Sequence, residues 1–315
     1  MEGAHEGSRE PEAQEIARTE HGPSKKPSKN RAKTEQKPSK GKNGQQREIP
    51  VNIAIAILVA LLPQETHELK WALKEGQAFT CAWTADTRAS SPEAPGFLMD
   101  LKFEIRGTLS VIKVGEKDAR CQLVLSTYSL KGSLQGNEVD ILFENGAVRR
   151  PDPEGDRGKS IFRECTKPVS LQLTPRGIYS IEGKHLVQGL FEGQSDFFGS
   201  QLPPAPVAVG GTWEGQMESP QSRAQGRTPL KVRYKLESLK EDAARIMLDE
   251  RQDIKAAGRT MEFHAVSESI FNTKAGHCAR AKATVEVSDM TDPARKAPEK
   301  PDIMMTLTFE MAEKK

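Results

Sequence analysis

The segment Leu101-Lys-Phe103-Glu-Ile105-Arg-Gly-Thr-Leu109-Ser-Val111 puts an apolar residue at nearly every second position. A period of two means a strand with one face buried and one face wet, the pattern of antiparallel sheets. The alternation returns in Ile303, Met305, Leu307, Phe309 and Met311, with Thr306, Thr308 and Glu310 between them. It returns again in Val232, Tyr234 and Leu236, and in Ala281, Ala283, Val285 and Val287. Gly107 interrupts the first run and marks a bulge or bend.

Turn signals stand where hairpins need them. Gly115-Glu-Lys-Asp118 and Lys240-Glu-Asp242 each separate two long runs. Pro175-Arg-Gly177 joins 169–174 to 178–182, and Lys274-Ala-Gly276 joins 269–273 to 277–289. The order repeats. Leu73-Lys-Glu-Gly76-Gln-Ala-Phe79 opens one half, and Val207-Ala-Val-Gly210-Gly-Thr-Trp213 opens the other. Each glycine is followed by an aromatic three residues on, then by strands joined through an acidic turn. The spacing differs: 42 residues from Gly76 to Asp118 against 32 from Gly210 to Asp242. Polar loops absorb such insertions at little cost.

The predicted fold is therefore mainly β, with long antiparallel strands in two pseudo-repeated halves. They form a curved sheet, a half-barrel or a sandwich. Residues 66–200 make half one and residues 201–315 half two. Residues 184–200 lack alternation and are expected to form a short helix or crossover. Gln201-Leu-Pro-Pro-Ala-Pro206 is a stiff connector. Segments 88–96, 149–160, 219–229 and 289–301 are expected to be loops. Gly76 and Gly210 suit tight turns, and Trp83 and Trp213 are expected to anchor the cores of their halves rather than form a ligand platform.

Only 36% of the 315 residues are hydrophobic and 29% are charged, and the polarity gathers at the N-terminus. Residues 1–50 hold too little apolar surface to offset the entropy of ordering, so they are expected to be a disordered basic arm. Nine basic residues against Glu35 fall within 25–47. No aromatics are interleaved to stack on bases, and the net charge is only +2, so nucleic acid is not the expected partner. Residues 51–65 form a signal-like apolar segment. Its core, Val51–Leu62, is too short to span a bilayer as a helix. It matches the apolar core of a secretory signal behind a charged start. An uncleaved membrane tether, or a buried element of the fold, remains the alternative. The implied location is extracytoplasmic, in the periplasm or cell envelope. Cys81, Cys121, Cys165 and Cys278 have no Cys-x-x-Cys spacing. A disulfide is permitted in an exported chain, but Cys81 shares a strand face with Phe79 and Trp83 and is expected to be a buried free thiol.

Pro204-Ala-Pro206-Val-Ala-Val209-Gly-Gly-Thr-Trp213 follows the hairpin Lys167-Pro-Val-Ser-Leu-Gln-Leu-Thr-Pro-Arg-Gly177. Together they resemble an uncharacterised family of exported bacterial two-half β proteins, in which a Pro-x-x-Val-x-Val-Gly-x-x-Trp segment opens the second half. The resemblance spans roughly Leu69 to Met311. It implies the two-half β fold and export, and no activity. The layout is also similar, at fold level, to the half-barrel sheets of lipoprotein carriers.

Catalytic constellations are not apparent. Gly155-Asp-Arg-Gly-Lys-Ser160 ends like a phosphate loop, but Pro153 replaces the required glycine and the flanks read as loop. His5, His21, His67, His185, His264 and His277 show no ligand spacing; His264 and His277 are expected at the surface or in hairpins. No Gly-x-Ser-x-Gly elbow occurs, and Glu241/Asp242 read as turn residues. No catalytic, metal or cofactor residue is nominated. The expected function is non-catalytic: binding of a lipid, another apolar ligand or an envelope protein on the sheet. The alternative is an interaction or scaffold module held at the membrane through Val51–Leu62. An enzyme with a site assembled from distant residues is the third reading.

Overall fold

Every alternating run is a strand. The computed structural model describes residues 65–90, 98–152, 154–183, 198–217, 230–256, 259–291 and 301–314. The basic arm, Val51–Leu62 and residues 184–197 of the expected crossover lie outside them. In chain order come β1 (Thr66–His67), β2 (Ala78–Ser90), β3 (Leu98–Val114), β4 (Ala119–Leu134), β5 (Asn137–Glu144) and β6 (Ala147–Arg150). Helix α1 (Asp156–Thr166) precedes β7 (Val169–Leu173) and β8 (Tyr179–Glu182). Then follow β9 (Val207–Ala208), β10 (Thr212–Met217), β11 (Leu230–Lys240), β12 (Ala243–Ala256), β13 (Arg259–Asn272), β14 (His277–Asp289) and β15 (Ile303–Glu313).

Thirteen of these strands form one antiparallel sheet in the order β10-β11-β12-β13-β14-β15-β2-β3-β4-β5-β6, with β7 and β8 branching from β4. Among the described residues it does not close into a barrel. β15, from the end of the chain, lies along β2 over Ile303↔Ala89 to Glu313↔Phe79, so residues 66–200 and 201–315 share one sheet. A single buried cluster takes Trp213 and Tyr234 from one side of that sheet and Phe143 and Ile141 from the other. The sheet therefore bends around its own apolar face, as strand twist favours.

The corners after the two glycines are built alike. Gly76 and Gly210 sit at φ +83° and +84°. Each is the third residue of a turn, closed by the Gln77 N–H on the Lys74 carbonyl and the Gly211 N–H on the Ala208 carbonyl. The Gly76 N–H donates to the Val111 carbonyl, and the Gly210 N–H to the Leu236 carbonyl. Bulges follow at Val111/Lys113 and at Leu236/Ser238. The expected break at Gly107 is also a bulge, where an added Cβ would lie 2.6 Å from the Val124 carbonyl oxygen.

Three expectations need correction. Segments 88–96 and 149–160 are not loops throughout: β2 runs to Ser90, β6 takes Arg149 and Arg150, and α1 begins at Asp156. The helix forms because Gly158, Ile161 and Cys165 lie on one face and are buried. Gly158, Lys159 and Ser160 are its third to fifth residues, so β6 and this helix, and not loop, flank the Gly155–Ser160 run. His277 stands at the β13–β14 hairpin, as the first residue of β14, but not at the surface: it is 6% exposed, with its ring 5.1 Å from that of Phe79. Gln201 is more than connector. Its side-chain amide donates to the Gln216 carbonyl and accepts from the Gln216 N–H, occupying backbone groups of the edge strand β10.

Phe309 stacks on Trp83 at 5.3 Å where β15 meets β2. Phe309→Ala is expected to destabilise the fold by about 3–5 kcal/mol, read as a lowered urea midpoint. Gln201→Ala leaves the Gln216 amide and carbonyl without their partner, and is expected to cost about 1–3 kcal/mol and to raise self-association measured by light scattering.

Candidate functional site

The register across β14, β15, β2 and β3 arranges the inner side chains in four rungs. The first is Ala281, Phe309, Trp83 and Ile105; the second is Ala283, Leu307, Ala85 and Phe103. The third is Val285, Met305, Thr87 and Leu101; the fourth is Val287, Ile303, Ala89 and Met99. Successive rungs are two residues apart, about 7 Å.

Exposure changes along them. Phe309, Trp83 and Ile105 of the first rung are at most 1% exposed, and Leu307, Ala85 and Phe103 of the second at most 7%. All four residues of the third rung are half-buried, as are Ile303, Ala89 and Met99 of the fourth. Along β15, β2 and β3 the inner face is thus packed at one end and half open at the other, with Thr87 the polar member of the open part, while on β14 Ala281 and Ala283 are half-buried and Val287 is buried.

Elements from outside the four strands close the packed end. The Trp71 N–H donates to the Pro175 carbonyl and the Ala72 N–H to the Gly276 carbonyl, tying the chain before β2 to both glycine hairpins. A strap, Phe198–Leu202, crosses the interior. The Phe198 ring meets Trp71, Trp83, Tyr179 and Phe309 at centroid distances of 6.4, 5.7, 5.3 and 5.8 Å. Ser200 N–H donates to Ser269 Oγ at 2.9 Å. Arg176 Nε donates to the Leu202 carbonyl, and the Leu202 N–H to the Arg176 carbonyl. Trp213 Nε1 donates to the Gln201 carbonyl at 2.7 Å. Trp83 and Trp213 are 0% and 7% exposed, core residues and not a surface platform.

The outer face is charged and mixed in sign. One open groove of about 500 Å³ is lined by Arg233, Lys235, Arg245, Glu237, Asp249 and Glu250. Another, of about 550 Å³, has Lys102 and Lys131 beside Asp100, Glu138 and Asp140. Neither selects an anion or a cation. On the same face His264 bridges three strands, with Nε2 3.1 Å from Asp249 Oδ1 and Nδ1 3.4 Å from Glu286 Oε2. The carboxylates contact opposite ring nitrogens, so the imidazole links strands instead of converging with them on a third atom. Among the described residues no group of three His, Cys, Asp or Glu side chains is arranged to hold a metal ion. Among the described residues no helix is long and apolar enough to cross a membrane.

Cys81, Cys121, Cys165 and Cys278 are all buried and are not joined in disulfides. Burial pushes the Cys121 thiol up to about 11 and the Cys165 thiol up to about 12, and raises Cys81 further. Such thiols are poor nucleophiles at neutral pH. Sequence reasoning placed the strands of the site but missed Phe198, whose surroundings carry no alternation.

No family model matches the chain, and no curated protein does. Among solved structures it is similar to one described as lipid–protein interactions in lipovitellin, with a TM-score of 0.46 and 10% identity. The match covers 78% of this chain and 26% of that one, so this chain spans about a quarter of its length.

The thiols give a pH dependence of stability. Above the unfolded thiol value of about 9 the unfolded chain loses protons that the native chain keeps, so the native state binds more protons and stability falls as pH rises. The urea midpoint is expected to be lower at pH 10.5 than at pH 8, and Cys121→Ala is expected to lessen the drop.

Proposed function

We propose that this is a non-catalytic, exported protein that takes an apolar ligand on the inner face of its sheet. The ligand lies over the third and fourth rungs. The observation that carries this reading is the exposure gradient along β15, β2 and β3: Leu101, Met305, Ile303 and Ala89 follow the buried Phe103, Leu307 and Ala85 in register yet are half-buried. A contiguous row of apolar side chains left partly wet has the character of a binding surface. A guest covering it gains roughly 25 cal/mol per Å² of apolar area removed from water. Thr87 is the single polar member of the two open rungs, so recognition rests on shape and apolarity more than on directed hydrogen bonds. Export is supported by Val51–Leu62 and the basic residues before it.

Titration of the full chain with 1-N-phenylnaphthylamine tests this. Emission is expected to rise and shift to the blue. Leu101→Glu, at the inner face, is expected to weaken binding at least about tenfold, which is about 1.4 kcal/mol. Leu98→Glu, at an already exposed position (61%), is expected to leave it unchanged. No emission change, or equal binding by Leu101→Glu and the unaltered chain, contradicts the reading.

A further inference from the structure

We infer that the outer face of β14, β15, β2 and β3 carries a separate site, independent of the apolar reading above, that takes a phosphate group. A groove of about 750 Å³ opens there, on the side of the sheet away from the rungs. Its central row is Arg280, Glu310, Ala82 and Arg106, one residue from each strand in register. The next row is Ala312, Thr80 and Thr108. Ala82 and Ala312 are too small to fill the space between the long side chains, so the groove has a floor of backbone and methyl groups. Arg280 and Arg106 stand three strand spacings apart, about 14 Å, and flank that floor from opposite sides. Lys314 is fixed beside it: its backbone N–H donates to the Ala78 carbonyl, and its Nζ donates to Thr108 Oγ1 at 2.9 Å.

Charge sets this groove apart from the two already described on the outer face. Each of those holds at least as many carboxylates as cations. This one holds Arg106, Arg280 and Lys314 against Glu310 alone. Arg106 is paired through Nε with Glu104. Arg280 and Lys314 form no ion pair among the described residues, although Glu310 is the register partner of Arg280. The guanidinium of Arg280 therefore offers a planar set of donors, the geometry that suits phosphate oxygens. Lys314 spends one donor on Thr108 and has others to give. By accepting from Lys314, Thr108 Oγ1 keeps its own proton for a different acceptor, and the Ser126 hydroxyl lines the groove as well. A phosphate group brings three acceptor oxygens and up to two negative charges, which answers donors arriving from both sides.

The phosphate can belong to a soluble molecule or to a lipid head group, and the test uses a probe for each: pyrophosphate, and dihexanoylphosphatidic acid below its micelle concentration. Threonine-methyl NMR on the full chain reads the groove apart from the basic residues within 25–47, which attract any polyanion. The Thr80 and Thr108 signals are expected to shift at low salt, while those of Thr284 and Thr306, farther along the same face, stay in place. The probe that shifts them at the lower concentration names the source. Arg280→Ala and Lys314→Ala are each expected to raise the dissociation constant about tenfold, through loss of a charge-assisted hydrogen bond. Glu310→Gln is expected to lower it. Lys131→Ala, in a groove without excess positive charge, is expected to leave it unchanged. All four side chains are exposed, and near-ultraviolet circular dichroism confirms that each variant keeps its fold. Thr80 and Thr108 signals that neither probe moves overturn the inference. Equal affinity of Arg280→Ala, Lys314→Ala and the unaltered chain overturns it too. Neither result bears on the apolar-ligand reading, which concerns the other face.

Discussion

The pairing of β15 with β2 is the constraint on which the molecule depends. It joins the last long strand of the chain to the first and makes one sheet of two strand groups. Either group alone would expose a long edge and a small core, both unfavourable for a stable domain. At the junction Phe309 stacks on Trp83, and Phe198 fits against both rings. The same junction carries the four rungs. The element that unites the sheet is thus also the floor of the proposed site.

The two ends of the inner face are finished differently, and that difference gives the fold a direction. At the packed end, glycine hairpins, Trp71 and the strap cover the aromatics, and the strap's Gln201 covers part of the β10 edge. Toward the other end the inner residues of β15, β2 and β3 become half-buried. The outer face takes the charge. Cross-strand pairs such as Arg245–Glu268 and Arg251–Glu262 are surface pairs, each contributing little to stability. They keep that face soluble and leave apolar burial to the other side.

Much of the sheet was legible because period two and turn chemistry are local signals. Leu101–Val111 and Ile303–Met311 lie in β3 and β15, and the Gly115–Asp118 and Glu241–Asp242 turns join the strands that flank them. What joins β15 to β2 lies some 220 residues apart in sequence, and no local pattern encodes it. Helix α1 was hidden because its buried face is only Gly158, Ile161 and Cys165, while the large apolar Phe162 is exposed, so no helical apolar stripe stands out. The β4-β5 and β5-β6 hairpins did carry a signal. Gln135-Gly136 and Asn145-Gly146 all have positive φ, the geometry that tight hairpins require, but strand alternation in the acidic stretch between them is weak. Phe198 was illegible for a different reason: in Phe197-Phe198-Gly199 no period tells one phenylalanine from the other, and the burial of Phe198 comes from tertiary packing.

Native-state hydrogen exchange tests the shared sheet most directly. Amides of β2 and β15 should be among the slowest and should exchange with the same free energy and denaturant dependence as protected amides of β4 and β12. An opening in which β10 to β14 exchange together while β2 to β4 stay protected would mean two separable units, and the account of a single sheet with one inner face would be wrong.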